Sequence, residues 1–386
     1  MSVSHVTTGG LVHLSGNPIQ ITLTGSGALD NYKLALRINC AALMGAPFVE
    51  EIAPGANMKS VFDISGFVDQ PAIYSFVYPF VGGANPHDSL ATDIAFDIGE
   101  VWTDAQGERQ TSWSTPAANH LKIIKGKLRP YELGILNDSG KSFYSEYIMG
   151  GKFLTHQPNF IKVKPNHIPM LWYLSRWTTD HPITTHLLVK TNDGVTNPEI
   201  INQHTLWEIT GLMEFAVNPV FWGFNQAINT LIESYEFWIS DSAGDVSEHR
   251  TFLVDNAWYE NSFFFYYVNP LSGIDCIWLT GQHTEGIKTE SEISYRTIPV
   301  LSGSKTASQT VISSSSQRTW EINSGPVNIS QARAMRDFLS SKQCWLVDPA
   351  DETKLIPVNV EPGDNTIFDS KEFIQSLEIK ISEAHK

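Results

Sequence analysis

Apolar and polar positions alternate with period two along most of the chain. The segments are rich in Val, Ile, Thr, Phe, Tyr and Trp, and turn signals break them roughly every 8 to 15 residues. Successive side chains of a strand point to opposite faces, so this pattern predicts an all-β chain. "PIQITLTG" and "YKLALRINC" frame the turn-rich "SGALDN", and "KSVFDISGF" follows. "DIAFDIGEVW" sets Ile94, Phe96 and Ile98 on one face and Asp93, Ala95 and Asp97 on the other, as a half-buried strand with a solvated acidic face would.

The densest apolar stretch is "SFFFYYVNPLSGIDCIWLTG", residues 262–281. Read as two strands around "NPLSG", it has apolar residues on both faces. Phe263, Phe265 and Tyr267 fall opposite Phe264, Tyr266 and Val268, and the return run opposes Ile274, Cys276 and Trp278 to Asp275, Ile277 and Leu279. A bare hairpin of this kind aggregates, so the pair is expected to be covered on both sides, with Trp278 packed in a core. Pro270 presets φ in the turn, and Gly273 can supply φ > 0.

One helix stands out near 329–341, in "NISQARAMRDFLSS". Asn328 and Gln331 form a capping box that satisfies orphan amides. Ile329, Ala332, Met335, Phe338 and Leu339 make a docking stripe. Strands resume with "CWLVD", "LIPVNV" and "FIQSLEIKISEA", where Leu377, Ile379 and Ile381 alternate with charged or polar residues. The Ser-rich "GSKTASQTVISSSSQRTWEI" reads as part of a long hairpin and not as a linker. The expected organisation is a β-sandwich over 1–126, a middle β module over 127–210, a β-sandwich over 211–289, and a C-terminal domain over 290–386 that carries the helix.

Charge narrows the function classes. Lys and Arg number 26 against 41 Asp and Glu, a net charge of −15. Sequence-independent nucleic-acid binding needs a cationic surface, so none is expected. The best basic segment, "HLKIIKGKLRP" with Lys122, Lys125, Lys127 and Arg129, reads as a solvated strand. Cys40, Cys276 and Cys344 are far apart and odd in number, which argues against a disulfide scaffold. "MSVSHVTTGGLVHLSGNP" lacks the basic and apolar regions of a secretory signal. No apolar run approaches the ~18 residues of a membrane span, so no membrane insertion is expected.

Candidate chemistry is sparse. Glu50 and Glu51 are adjacent and point oppositely in a strand, and Asp180, Asp241 and Asp245 sit in loop-like contexts, so no carboxylate pair is set up for glycoside hydrolysis. "DHPITTH" places His181 and His186 five apart without a third ligand at metal spacing. Hydrogen-bonded loop histidines are the expectation. No GxSxG, P-loop or dinucleotide fingerprint occurs. An enzyme is therefore not expected, and neither is a cofactor or a metal. Aromatic residues make up 11% of the chain. In "HIPMLWYLSRW", Trp172, Tyr173 and Trp177 read as core, as an assembly interface or as a carbohydrate platform.

The opening "LSGNPIQITLTG...YKLALRINC", "VFDISGF" and the "FFFYYVNPLSGIDCIWLTG" pair resemble long structural proteins from tail gene clusters of phages and prophages of Bacteroidetes-type bacteria. The segment from "QRTWEINSGPVNISQARAMRDFLSS" to "FIQSLEIKISEA" is similar to the ring-forming split barrel of tail-tube, distal-tail and baseplate proteins. The resemblance spans 1–75 and 235–386. It implies β-sandwich modules, fibronectin-like over 211–289, with a C-terminal split β-barrel carrying one helix. Distal-tail proteins of siphophages place that ring-forming domain at the N-terminus instead. The resemblance further implies a homo-oligomeric ring around the tail channel and partnership with other virion proteins. Synthesis would be in the host cytoplasm with release by lysis, and an acidic lining would let DNA slide. The alternative is a carbohydrate- or host-receptor-binding β-sandwich protein without catalysis.

Overall fold

The computed structural model describes residues 3–7, 10–25, 27, 29–40, 47–68, 78, 84–87, 90–116, 119–176, 181–192, 200–206, 211–220, 222–224, 231–295, 309–363 and 375–384. They are mostly strand, arranged in several sheets, as the period-two pattern requires. The chain divides into two compact units. One comprises Met1–Thr155, Ile168–Val254 and Asn269–Ile274, and the other His156–His167, Asp255–Val268 and Asp275–Lys386.

In the first unit, β1 (Ser4–Thr7), β3 (Gln20–Thr24) and β6 (Lys59–Asp63) form a sheet in the order β1-β3-β6. A second sheet runs β2-β10-β8-β4-β5, from β2 (Val12–Leu14), β10 (His120–Ile124), β8 (Ala91–Thr103), β4 (Lys33–Asn39) and β5 (Phe48–Ile52). Strand β9 (Arg109–Ser114) pairs with β8. Ile21, Leu23, Leu34, Leu36, Ile38, Ile94, Phe96 and Ile98 share one core, so alternation along each strand supplies the inward set. The same unit holds β7 (Ala84–Pro86), β12 (Met170–Leu174) and β15 (Leu212–Ala216) in one sheet. Another sheet joins β13 (His181–Thr191), β14 (Ile200–Leu206), β16 (Ile232–Asp241), β17 (Gly244–Asp245) and β18 (Arg250–Val254). Phe237 of β16 meets Phe215 of β15 at 5.4 Å and Phe153 at 6.0 Å, which closes this second aromatic core.

Three local readings change here. Asp97 is buried, not solvated. Arg37, Asn39 and Thr115 donate hydrogen bonds to its carboxylate. Burial raises its pKa, and these hydrogen bonds with the Arg37 charge lower it by more, leaving it below the ordinary value. Lys122 is also buried, between β8 and β2, and pairs with Asp93 at 2.7 Å, so "HLKIIKGKLRP" is not an open basic strand. Residues 127–142 contain a helix, α2 (Pro130–Asp138), after the short α1 (Ser65–Val68). Pro130 opens α2, and the Glu132 carboxylate accepts from the Arg129 amide at 2.9 Å. No α2 residue is buried, so there is no apolar stripe for periodicity to detect.

The "NPLSG" turn also differs in detail. Ser272, with φ 77°, occupies the left-handed position, and Gly273 does not. Gly273 is needed for space, since a Cβ there would lie 2.7 Å from the Leu154 carbonyl oxygen. The Asn269 side chain ties the turn, accepting from the amides of Leu271 and Gly273.

The second unit contains β11 (Phe160–Val163) and a seven-stranded sheet. Its strands are β19 (Phe263–Val268), β20 (Ile274–Leu279), β21 (His283–Tyr295), β22 (Gln309–Asn323), β23 (Cys344–Val347), β24 (Leu355–Val360) and β25 (Glu378–Glu383). The order is β20-β19-β23-β24-β25-β22-β21. Strands β19 and β20 thus share a sheet with the C-terminal strands, and the boundary drawn at 289/290 gives way to a unit that includes both. Helix α3 (Ile329–Leu339) packs on the sheet. Its capping box is present, with Asn328 Oδ1 accepting from the Gln331 amide at 2.9 Å and Gln331 Oε1 from the Asn328 amide at 3.1 Å. Ala332, Met335 and Phe338 are buried against Phe263, Phe265, Tyr267, Leu346, Ile379 and Ile381. Ile329 of the expected stripe is exposed, because it sits in the first turn, outside the contact.

The Phe338 ring lies 5.3 Å from Phe265 and 5.4 Å from Tyr267. Phe338→Ala is expected to lower the stability of the second unit by about 3–5 kcal/mol. Domain-resolved hydrogen exchange checks this, with the loss confined to that unit.

Candidate functional site

Trp172 and Tyr173, expected as interface or glycan-platform aromatics, lie on β12 and are fully buried. Trp172 stands opposite Glu214 in the register, with its ring 4.6 Å from His87. Burial pushes the Tyr173 hydroxyl up to about 12, and it donates to the Val246 carbonyl at 3.4 Å. Neither offers a stacking face to solvent. Trp177 lies outside the described residues, as does Asp180.

His181 and His186 sit on β13, not in a loop, and their odd spacing sends them to opposite faces of the strand. His181 Nε2 lies 3.3 Å from Asp241, and His186 Nε2 lies 2.6 Å from Ser240 Oγ. His186 also stacks on Trp238, whose ring is stacked in turn against His249. The two histidines of "DHPITTH" therefore have separate partners and do not converge on one ion. Cys40, Cys276 and Cys344 are free thiols, all buried. Burial pushes Cys344 up to about 12, which leaves it protonated and unreactive near neutral pH.

The second unit carries an open cleft of about 670 Å³, including its solvent-filled mouth. Ile277 and Trp278 of β20, Val327, and Ala334 and Met335 of α3 supply its apolar lining. Trp278 is half-buried and not fully packed as expected, and its indole N–H donates to Ser262 Oγ at 2.9 Å. Lys162 lies over the rings of Tyr259 and Trp278 at 5.3 and 5.6 Å and pairs with Asp255 at 2.5 Å. Burial lowers the Lys162 pKa, but hydrogen bonds to Asp255 and Tyr259 leave it raised, so the ammonium persists. The Gln157 amide bridges Tyr267 Oη and the Cys276 carbonyl. Phe160, also lining the cleft, is 59% exposed, and Trp258, on the loop before β19, is 84% exposed. Sequence reading passed over Trp258. The available signal was a tryptophan in "DNAWYEN", a polar segment with no strand alternation to bury it.

The other exposed feature is the β21–β22 hairpin. Strand β25 pairs with β22 only over Thr319–Asn323. Beyond that, Lys288–Tyr295 and Gln309–Gln317 form a ribbon of two strands with no third strand among the described residues. At about 3.4 Å per residue, eight residues carry it roughly 27 Å past the sheet. One face bears Thr289, Ser291, Ile293 and Tyr295 with Val311, and the other bears Lys288, Glu290 and Glu292. A bulge between Glu292 and Ile293 leaves Ile312 as the extra residue. Tyr295 is 73% exposed, and Ile293, Val311 and Ile312 are exposed as well.

Among the described residues, no helix is long and apolar enough to cross a membrane. No family model matches the sequence, and neither does any curated protein.

One buried titratable group gives a pH test of this unit. His167 stacks on Phe264 at 3.9 Å, and burial, with the Lys164 charge, lowers its pKa to about 3. The unfolded chain takes up this proton near pH 6.5 and the folded one does not. The contribution is complete above about pH 6.5 and is lost as pH falls toward 3. His167→Phe, which keeps the stacking, is expected to flatten the fall in melting temperature across that range, as thermal melts at stepped pH would show.

Proposed function

We propose that the chain is a structural protein of a phage tail or baseplate whose copies close into a ring around the tail channel, in contact with other virion proteins and the adsorption apparatus. The ribbon is the observation that carries this reading. An isolated two-stranded hairpin is marginal in water, and a long edge strand is a template for pairing with another chain. A monomer would gain nothing from a ribbon with exposed Ile, Val and Tyr on it. In an assembly the same ribbon is interface, and a head-to-tail contact that closes makes a ring. The net charge of −15 fits a conduit that DNA passes without sticking. Such a protein works through its interfaces and not by catalysis.

Light scattering on the purified full-length chain, with mass spectrometry of phage particles from the same source, tests the reading. A closed oligomer of more than two copies, and presence in the particle, are expected. A chain that stays monomeric at about 100 μM and is missing from particles would refute it.

A carbohydrate- or host-receptor-binding role has one observation in its favour, the exposure of Trp258 and Phe160. Exposed aromatics stack on sugar rings as readily as on protein. If this reading holds, a glycan array probed with the full chain gives a signal that Trp258→Ala reduces at least about tenfold, a loss of about 1.4 kcal/mol. No signal from the native chain removes it.

A further inference from the structure

We propose that the cleft between β20 and helix α3 binds an uncharged carbohydrate, with the apolar face of a sugar ring on the cleft wall and its hydroxyls on Gln331 and Thr280. The inference rests on the carbohydrate-binding reading and gives that reading a site.

Charge selects the class of ligand. The chain has 41 Asp and Glu, yet among the described residues none lines the cleft, and Lys162 is its one charged lining residue. The Lys162 ammonium is already matched by Asp255 at 2.5 Å. Burial raises the Asp255 pKa, but hydrogen bonds from Lys162 and Tyr259 lower it by more, so both charges persist and cancel. An anionic guest would have to displace Asp255, and a cationic one finds no carboxylate in the lining. Burying an unmatched charge is costly, so the cleft favours a neutral guest.

Hydrogen-bonding groups then separate a sugar from a hydrocarbon. In the capping box Gln331 Oε1 accepts from the Asn328 amide at 3.1 Å. That bond fixes the side chain and leaves its NH₂ group with no protein acceptor among the described residues. The Thr280 hydroxyl, also in the lining, has no partner among them either. A primary amide offers two donors, and a hydroxyl both donates and accepts, so neighbouring sugar hydroxyls satisfy the pair. A purely apolar guest would cover both groups and leave them unpaired, which costs about 1–3 kcal/mol for each.

The apolar wall supplies the rest. Ile277, Trp278, Val327 and Met335 present a surface for the C–H face of a ring. Phe160, in the same lining, is 59% exposed. Trp258, 84% exposed, precedes Tyr259, whose ring meets Trp278 edge-on at 5.2 Å. Exposed aromatic surface therefore adjoins the cleft. Its volume of about 670 Å³ with the mouth included lies within the roughly 300–1,000 Å³ of small-ligand pockets.

An array of neutral, sialylated and sulfated oligosaccharides probed with the full chain tests the proposal, followed by calorimetry with the strongest responder. Neutral glycans are expected to dominate. Two full-length variants, with fold confirmed by circular dichroism and unchanged melting, locate the site. Gln331→Glu keeps an acceptor for the capping box but loses the NH₂ donors, and is expected to weaken binding about tenfold. A residue that serves only as a cap would show no such change. Ala334→Trp fills the cleft and is expected to abolish binding. A glycan signal that both variants leave at native strength, while Trp258→Ala still reduces it, overturns this inference and leaves the carbohydrate reading standing. Dominance of the sialylated or sulfated glycans does the same. No signal from the native chain removes the reading and its site together, and uptake of dodecanol by that silent chain would mark an apolar-ligand cleft instead.

Discussion

Strand β19 has an aromatic ring at each position from Phe263 to Tyr267, so it needs apolar cover on both faces. Much of the second unit follows from meeting that need. On one face, α3 lays Phe338 against Phe265 and Tyr267. On the other, His167 stacks on Phe264, with Tyr266 edge-on beside it. His167 comes from a segment about a hundred positions earlier in the chain, which accounts for a unit assembled from three separate stretches. Burying an imidazole there has a cost, because it must stay neutral where the unfolded chain would take up a proton.

The ribbon is the converse case. Its two strands are continuously paired, yet no third strand among the described residues covers them beyond Thr319. Evolved edges are usually short, bulged or charged. This one has a bulge and charges on one face, but it is long, and it keeps Ile, Val and Tyr on the other face. The charged face discourages random edge-to-edge pairing.

Much of the secondary structure was legible because alternation is a local property. Strands β3, β4, β8, β16, β24 and β25 follow from which residues alternate, β19 follows from its unbroken aromatic run ahead of the "NPLSG" turn, and α3 follows from its capping box and stripe. Helix α2 was not legible, since none of its residues is buried and it lacks the apolar stripe that marks a helix in sequence. Side-chain environment was less legible still. Lys122 and Asp97 look like members of a solvated strand face, but each is buried with a partner from a neighbouring strand. Trp172 and Tyr173 could be read as core or as platform, and only packing against β15 and the Val246 carbonyl assigned them to the interior.

The division of labour has a simple cause. The sequence alone determined that the chain is β-rich, where its strands run and which faces of them are apolar, because those depend on neighbours one to four residues away. Tertiary structure decided which apolar faces find cover and which do not, since cover comes from residues far off in sequence. Trp278 shows the difference: period two put it on an apolar face, but its half-burial was set by Lys162, Tyr259 and His167. So does the ribbon, whose bare face could be identified only once the short reach of β25 along β22 was known.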